Sequence, residues 1–175
     1  MKSRRDDRIK SLRDKCCTSF THFGQLIMSH TYTDIVLHIV FSTKERRRFN
    51  ADKMSRMRAY LGGLVKKNEA TLLSVGGTED HVHILLTVPT TIPLAKFVQL
   101  IKGSSSKWFN EQLPQERFAW QQGFSAFSVS RSQVGIVQRY VQNQEEHHRK
   151  RDFAEEYKTL LRLHHIPFDS QYVLG

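Results

Sequence analysis

The sequence predicts an α+β fold, an antiparallel sheet laid down in the order βαββαβ with helices on one face and further helices after it. Three features carry that expectation. The stretch Ile35-Val36-Leu37 with Ile39-Val40-Phe41 is apolar in the manner of a buried central strand. Side chains from Asp80 to Val88 alternate with the period of a strand. Apolar residues recur at helical spacing behind Asn50 and again behind Pro93.

Residues 1–27 hold seven Lys/Arg against three Asp/Glu and show no sustained periodicity. They read as a flexible basic extension to a folded domain over 28–175. A translation start at Met28 and a DNA-tracking arm are the two alternative readings of that segment. The first strand runs from Thr31 to Ser42. Asn50 caps a helix that buries Met54, Met57, Leu61, Leu64 and Val65 and is weakened at Gly62-Gly63. A strand over Thr71 to Val75, a hairpin turn at Gly76-Gly77-Thr78-Glu79 and a strand from Asp80 to Val88 follow. Pro93 opens a helix with Leu94, Phe97, Val98, Ile101, Trp108 and Phe109 inward, interrupted at Gly103-Ser104-Ser105-Ser106. Short strands are expected at Phe118 to Trp120 and Phe124 to Val129, then helices from about Ser132 to Arg149 and from Asp152 to about His164. This succession is that of a ferredoxin-like or RRM-like sheet.

A chain of 175 residues suits one domain with a substantial core. Lys and Arg outnumber Asp and Glu by 27 to 17, a net charge of +10 that favours a polyanionic partner. The two cysteines, Cys16 and Cys17, are adjacent, which excludes a disulfide framework or a cysteine-rich zinc site. No apolar run is long enough to span a bilayer, and the N-terminus lacks a secretory pattern, so a cytoplasmic protein is expected.

The chemistry centres on Asp80-His81-Val82-His83. Strand alternation turns Val82, Ile84, Leu86 and Val88 to the core and projects His81 and His83 from the other face, about 6–7 Å apart. Two neutral imidazoles so placed can converge on one ion; the bland alternative is two solvated histidines on an open sheet face. Downstream, Tyr140 and Gln144 lie one helical turn apart on a polar stripe that His147 adjoins, while Val134, Val137 and Val141 form the apolar stripe beside it. A phenol close to a metal loses its proton more readily than its free value near ~10 allows, which makes it a nucleophile toward phosphodiesters. Two histidines and an amide oxygen leave positions for phosphate and water and suit Mg²⁺ or Mn²⁺. His147 and His148 compete with Gln144 as the third ligand.

At these residues the sequence resembles the HUH single-tyrosine transposases of small bacterial insertion sequences and their REP-associated relatives. Asp80-His81-Val82-His83 is similar to the HUH motif, and Tyr140-Val141-Gln142-Asn143-Gln144 to the tyrosine-helix motif. The likeness extends from about Ser29 to Gly175. It includes His38-Ile39-Val40-Phe41-Ser42-Thr43-Lys44, Ile101-Lys102-Gly103-Ser104-Ser105-Ser106, and Trp120-Gln121-Gln122-Gly123-Phe124 with Phe127-Ser128-Val129-Ser130. The resemblance implies an RRM-like fold, Tyr140 as nucleophile, and a metal site of His81, His83 and Gln144. It further implies a 5′-phosphotyrosine intermediate, single-stranded DNA with hairpins at the element ends as partner, and a homodimer. Arg46, Arg47, Arg48, Lys102 and Lys107 are candidate phosphate contacts, with solvated charge as their bland alternative. Trp108 and Trp120 are expected to be buried. Competing functions are a rolling-circle initiator or relaxase, a noncatalytic RRM-like nucleic-acid binder, and a domesticated relative that cuts DNA without moving an element.

Overall fold

The computed structural model describes residues 32–149 and 152–169; the basic extension over 1–27 lies outside them. Four strands, β1 (Val36–Ser42), β2 (Thr71–Gly77), β3 (His81–Thr87) and β4 (Ser125–Ser128), form an antiparallel sheet in the order β2-β3-β1-β4. Helix α1 (Ala51–Lys67) joins β1 to β2, and α2 (Leu94–Gln112) joins β3 to β4. The expected βαββαβ order and ferredoxin-like arrangement are therefore present. After β4 come α3 (Val134–Gln142), α4 (Gln144–His148) and α5 (Phe153–Leu163). Among the described residues no helix is long and apolar enough to cross a membrane.

Side-chain alternation divides the molecule into two packed layers. Ile39 and Phe41 of β1 and Val82, Ile84 and Leu86 of β3 face α1 and α2, where Met54, Met57, Leu61, Phe97, Ile101 and Phe109 complete the main core. The intervening residues face the C-terminal helices. Val36 and Leu85 pack with Val141 of α3, and Val40 and Phe127 pack with Phe153, Tyr157 and Leu161 of α5. The central strands are thus covered on both sides, which is why β1 reads as an apolar run. The histidine face is not an open sheet surface.

Several local expectations are corrected. Strand β1 begins at Val36, five residues later than Thr31. Gly76 and Gly77 are the last residues of β2, paired with His83 and Val82, so the turn lies beyond them. Gly76 permits a close approach: a Cβ there would stand 1.7 Å from the Val141 carbonyl oxygen of α3. Helix α2 runs unbroken through Gly103-Ser104-Ser105-Ser106. Within it the buried Ser105 hydroxyl donates to the Lys102 carbonyl and accepts from the Trp120 indole at 2.9 Å, so small polar residues there serve packing. The helix expected over 132–149 is divided at Asn143 into α3 and α4. Trp120 is buried and joins the sheet by a single bridge to Thr43, while Trp108 is partly covered and stacks on Tyr60.

Candidate active site

Strand β3 brings His81 and His83 to the face covered by α3, α4 and α5, where both are fully buried. Each imidazole is held from behind through Nδ1. His81 Nδ1 lies 2.7 Å from Asp80 Oδ1 and 3.0 Å from the Thr78 hydroxyl, and its ring stacks on Phe153 at 4.2 Å. His83 Nδ1 lies 2.9 Å from His38 Nε2 on the neighbouring strand, the two rings stacked at 5.1 Å. Both Nε2 atoms consequently point forward, into a space shared by residues from the three C-terminal helices.

In that space Gln144 Oε1 lies 3.4 Å from His81 Nε2. The Gln144 amide donates to Glu156 Oε1 at 3.0 Å, which fixes its oxygen toward the histidine. The Tyr140 hydroxyl donates to the same Glu156 oxygen. Glu156 Oε2 lies 3.8 Å from His83 Nε2 and 2.7 Å from His148 Nε2, and His147 Nε2 lies 3.7 Å from Glu156 Oε1. Tyr140 meets the His83 and His38 rings edge-on, with centroids 5.8 and 6.0 Å apart. Tyr140, His81, His83 and Gln144, expected together from the sequence, are brought together, with His147 and His148 at the rim.

The electrostatics suit a cation. Burial depresses His83 well below the ordinary histidine range, helped by the neighbouring His38, His81, His148 and His147. Burial likewise lowers His38 to about 4, against a partial opposing pull from Glu156. Both are neutral near pH 7 and keep a lone pair. Burial opposes ionisation of Glu156, but the approach of His148 and the hydrogen bonds from Tyr140 and Gln144 hold it below the usual carboxylate range. Asp80 is also held low: burial raises it, and contact with His81 and Arg46 outweighs that. His83 Nε2 and Glu156 Oε2 are buried with no hydrogen bond of regular geometry. Buried polar atoms are rarely left so, and two facing each other beside an amide oxygen fit a divalent cation.

The cationic side chains have other engagements. Arg46 bridges Asp80 at 3.0 Å and Asp152, the N-cap of α5, at 3.1 Å. Arg47 donates to the Glu116 carbonyl and lies over the Phe49 ring. Arg46 and Arg48, with Arg58 and Arg149, line a cleft of about 620 Å³ that reaches His148 and Phe153. Lys102 donates to the carbonyls of Gln121, Gln122 and Gly123, and burial lowers its pKa to about 8. Lys107 is exposed beside Glu111. Both lysines stand on α2, across the sheet from the histidines.

Sequence reasoning missed His38 and Glu156. A lone histidine inside an apolar strand was a signal for the first. For the second, Glu156 falls on the same helical stripe as Phe153, Tyr157 and Leu160, where a carboxylate is out of place unless it is partnered.

Residues 31–144 match the family described as transposase IS200 like. Curated relatives include the transposases for insertion sequence element IS200 of Salmonella typhimurium and Salmonella typhi. Each is 28% identical over 124 residues, covering 67% of this chain and 81% of the relative. Among solved structures, a candidate transposase from Deinococcus radiodurans R1 shares the fold. Its TM-score is 0.54 at 20% identity, over 68% of this chain and 98% of its own.

Proposed function

The chain belongs to the IS200-like transposase family, and on that premise we propose that it cuts and rejoins single-stranded DNA with Tyr140 as nucleophile and with Mg²⁺ or Mn²⁺ held by His81, His83 and Gln144. The observation that carries this reading is convergence. The Tyr140 hydroxyl, the Gln144 amide and the forward-facing nitrogen of His83 all meet at one buried carboxylate, Glu156.

Tyr140 oxygen attacks the scissile phosphorus, forming a 5′-phosphotyrosine bond as the bond to the 3′ oxygen breaks. Glu156 accepts the phenol hydrogen bond and so orients the hydroxyl along one direction. Asp80 and His38 fix the ring orientations of His81 and His83. When bound, the ion supplies Lewis-acid neutralisation of phosphate charge and a template for in-line geometry. The phosphotyrosine retains the phosphodiester energy, so a returning 3′ hydroxyl can displace Tyr140 and rejoin the strand.

The proposed partner is single-stranded DNA with a hairpin at the element ends. Arg46, Arg47, Arg48, Lys102 and Lys107 are its proposed phosphate contacts. The cleft beside His148 supports Arg48 best, because Arg46 already bridges Asp80 and Asp152 and Lys102 already serves three carbonyls. A homodimer in the cytoplasm completes the reading; a chain that is monomeric by light scattering and still cleaves would remove the dimer.

The test is cleavage of labelled single-stranded DNA carrying the flanking hairpin, with Mg²⁺ or Mn²⁺. The wild type is expected to form a covalent protein–DNA adduct that chelator prevents and Tyr140→Phe abolishes. Tight binding without adduct on the correct flank would instead favour a noncatalytic binder.

A further inference from the structure

We propose that Glu156, carried in by α5, is itself a ligand of the ion through Oε2, so that the metal site extends beyond the histidine pair and the tyrosine helix. The inference rests on the metal-dependent reading above and adds to it a ligand from a segment outside residues 31–144, the part that matches the family.

Geometry argues for it first. Glu156 is 3% exposed and its two oxygens have separate surroundings. Oε1 takes the hydrogen bonds of Tyr140 and Gln144. Oε2 has no hydrogen bond of regular geometry; it lies 2.7 Å from His148 Nε2 and faces His83 Nε2, which has no hydrogen bond of regular geometry either, at 3.8 Å. An ion with bonds of about 2.1 Å sets its ligand atoms roughly 3 to 4.2 Å apart. The 3.8 Å separation lies inside that range, as does the 3.4 Å between His81 Nε2 and Gln144 Oε1. The candidate atoms of His81, His83, His148 and Glu156 all lie within 4.8 Å of one another.

His148 is the competing group. Its Nε2 stands 2.7 Å from Glu156 Oε2, closer than two ligands of one such ion can lie, so the pair cannot both ligate as placed. Chemistry decides between them: Mg²⁺ and Mn²⁺ prefer carboxylate oxygen to imidazole. His148 is also the more exposed of the two, at 12% of its side chain against 3%. The consequence is a single carboxylate that joins the nucleophile to the ion, one oxygen on the Tyr140 hydroxyl and the other on the metal.

The experiment is Mn²⁺ binding to the full chain without DNA, read as the loss of the free-ion electron paramagnetic resonance signal, for wild type, Glu156→Gln, His148→Gln and His81→Ala. Gln keeps the size and the hydrogen-bond acceptor of Glu while removing its charge. Glu156→Gln is expected to weaken Mn²⁺ at least tenfold with an unchanged circular dichroism spectrum, while His148→Gln changes it less than threefold. If Glu156→Gln does not fold, Glu156→Asp keeps the charge, withdraws the oxygen, and must also lose binding. Wild-type affinity in Glu156→Gln alongside lost binding in His81→Ala would overturn this proposal and leave the histidine site standing. The reverse ranking, with His148→Gln the weaker binder, would overturn it as well. A wild type that binds no Mn²⁺ would sink the underlying reading together with this one.

Discussion

His38 lies in the middle of β1 and turns a histidine pair into an ordered one. For His83 Nε2 to offer a lone pair, its proton must sit on Nδ1, and His38 Nε2 must then accept that proton's hydrogen bond. A protonated His38 has no acceptor to offer, so the forward lone pair depends on a neutral His38. Its depressed pKa of about 4 has a consequence for the metal-free protein. Above pH ~6.5 neither the folded nor the unfolded state protonates this residue, and its contribution to stability is constant. As pH falls from ~6.5 toward 4 the unfolded chain binds the proton first, and stability drops by about 3 kcal/mol for His38 alone. His83 adds a loss of the same sign. Urea unfolding with chelator between pH 7.5 and 4.5 is expected to show this slope, reduced in His38→Gln. Equal slopes in the two proteins would contradict the buried, neutral assignment.

Helix α3 carries Tyr140, the proposed nucleophile, and its seat on the sheet depends on the absence of one atom. A Cβ at Gly76 would lie 1.7 Å from the Val141 carbonyl oxygen, a backbone atom that moves only if the helix moves. Gly76→Ala is therefore expected to cost about 3 kcal/mol and to lower adduct yield, because Tyr140 shifts with the helix. Unaltered denaturation midpoint and unaltered cleavage would show that α3 docks differently. Gly63 in α1 is the control: it is exposed, and a Cβ there meets nothing within 4 Å. Gly63→Ala should gain about 0.5–1 kcal/mol. Helix α5 is anchored in its own way. Its N-cap Asp152 holds the Ala154 amide and pairs with Arg46, which also holds Asp80. Phe153 stacks on His81 in the same turn, so the element that brings Glu156 is tied to the histidine strand at its first residues.

At the scale of the whole molecule, the +10 charge predicts a salt-sensitive grip on DNA, and the proposed path of the strand is centred on the arginine-lined cleft. The arginine-lined cleft lies beside the buried site, whereas Lys102 and Lys107 are on the opposite side of the sheet. Replacing Arg48 by Glu should weaken single-stranded DNA binding about tenfold and flatten the salt slope by roughly one counterion per lost phosphate contact. Lys107→Glu should do less. If the two variants lose affinity equally, the cleft is not the path of the strand.

The order of strands and helices is legible in the amino-acid sequence because periodicity is a local property of the chain. Val82, Ile84 and Leu86 can share a core only if His81 and His83 share the other face. Likewise, Tyr140 and Gln144 are one turn apart wherever a helix runs through them. Helix ends were less legible, since the break at Asn143 and the continuity of α2 through its serines depend on neighbours far along the chain. What covers the histidines also lay beyond local pattern. The sequence by itself determined the sheet, the faces of its strands, and the residues of the expected site. Tertiary structure alone decided that α5 closes over that site, that His38 backs His83, and that Glu156 unites Tyr140 with Gln144. The last two are contacts between residues 12 to 45 positions apart, the first joins elements farther apart still, and such meetings are set by how layers pack and not by the spacing of residues along one element.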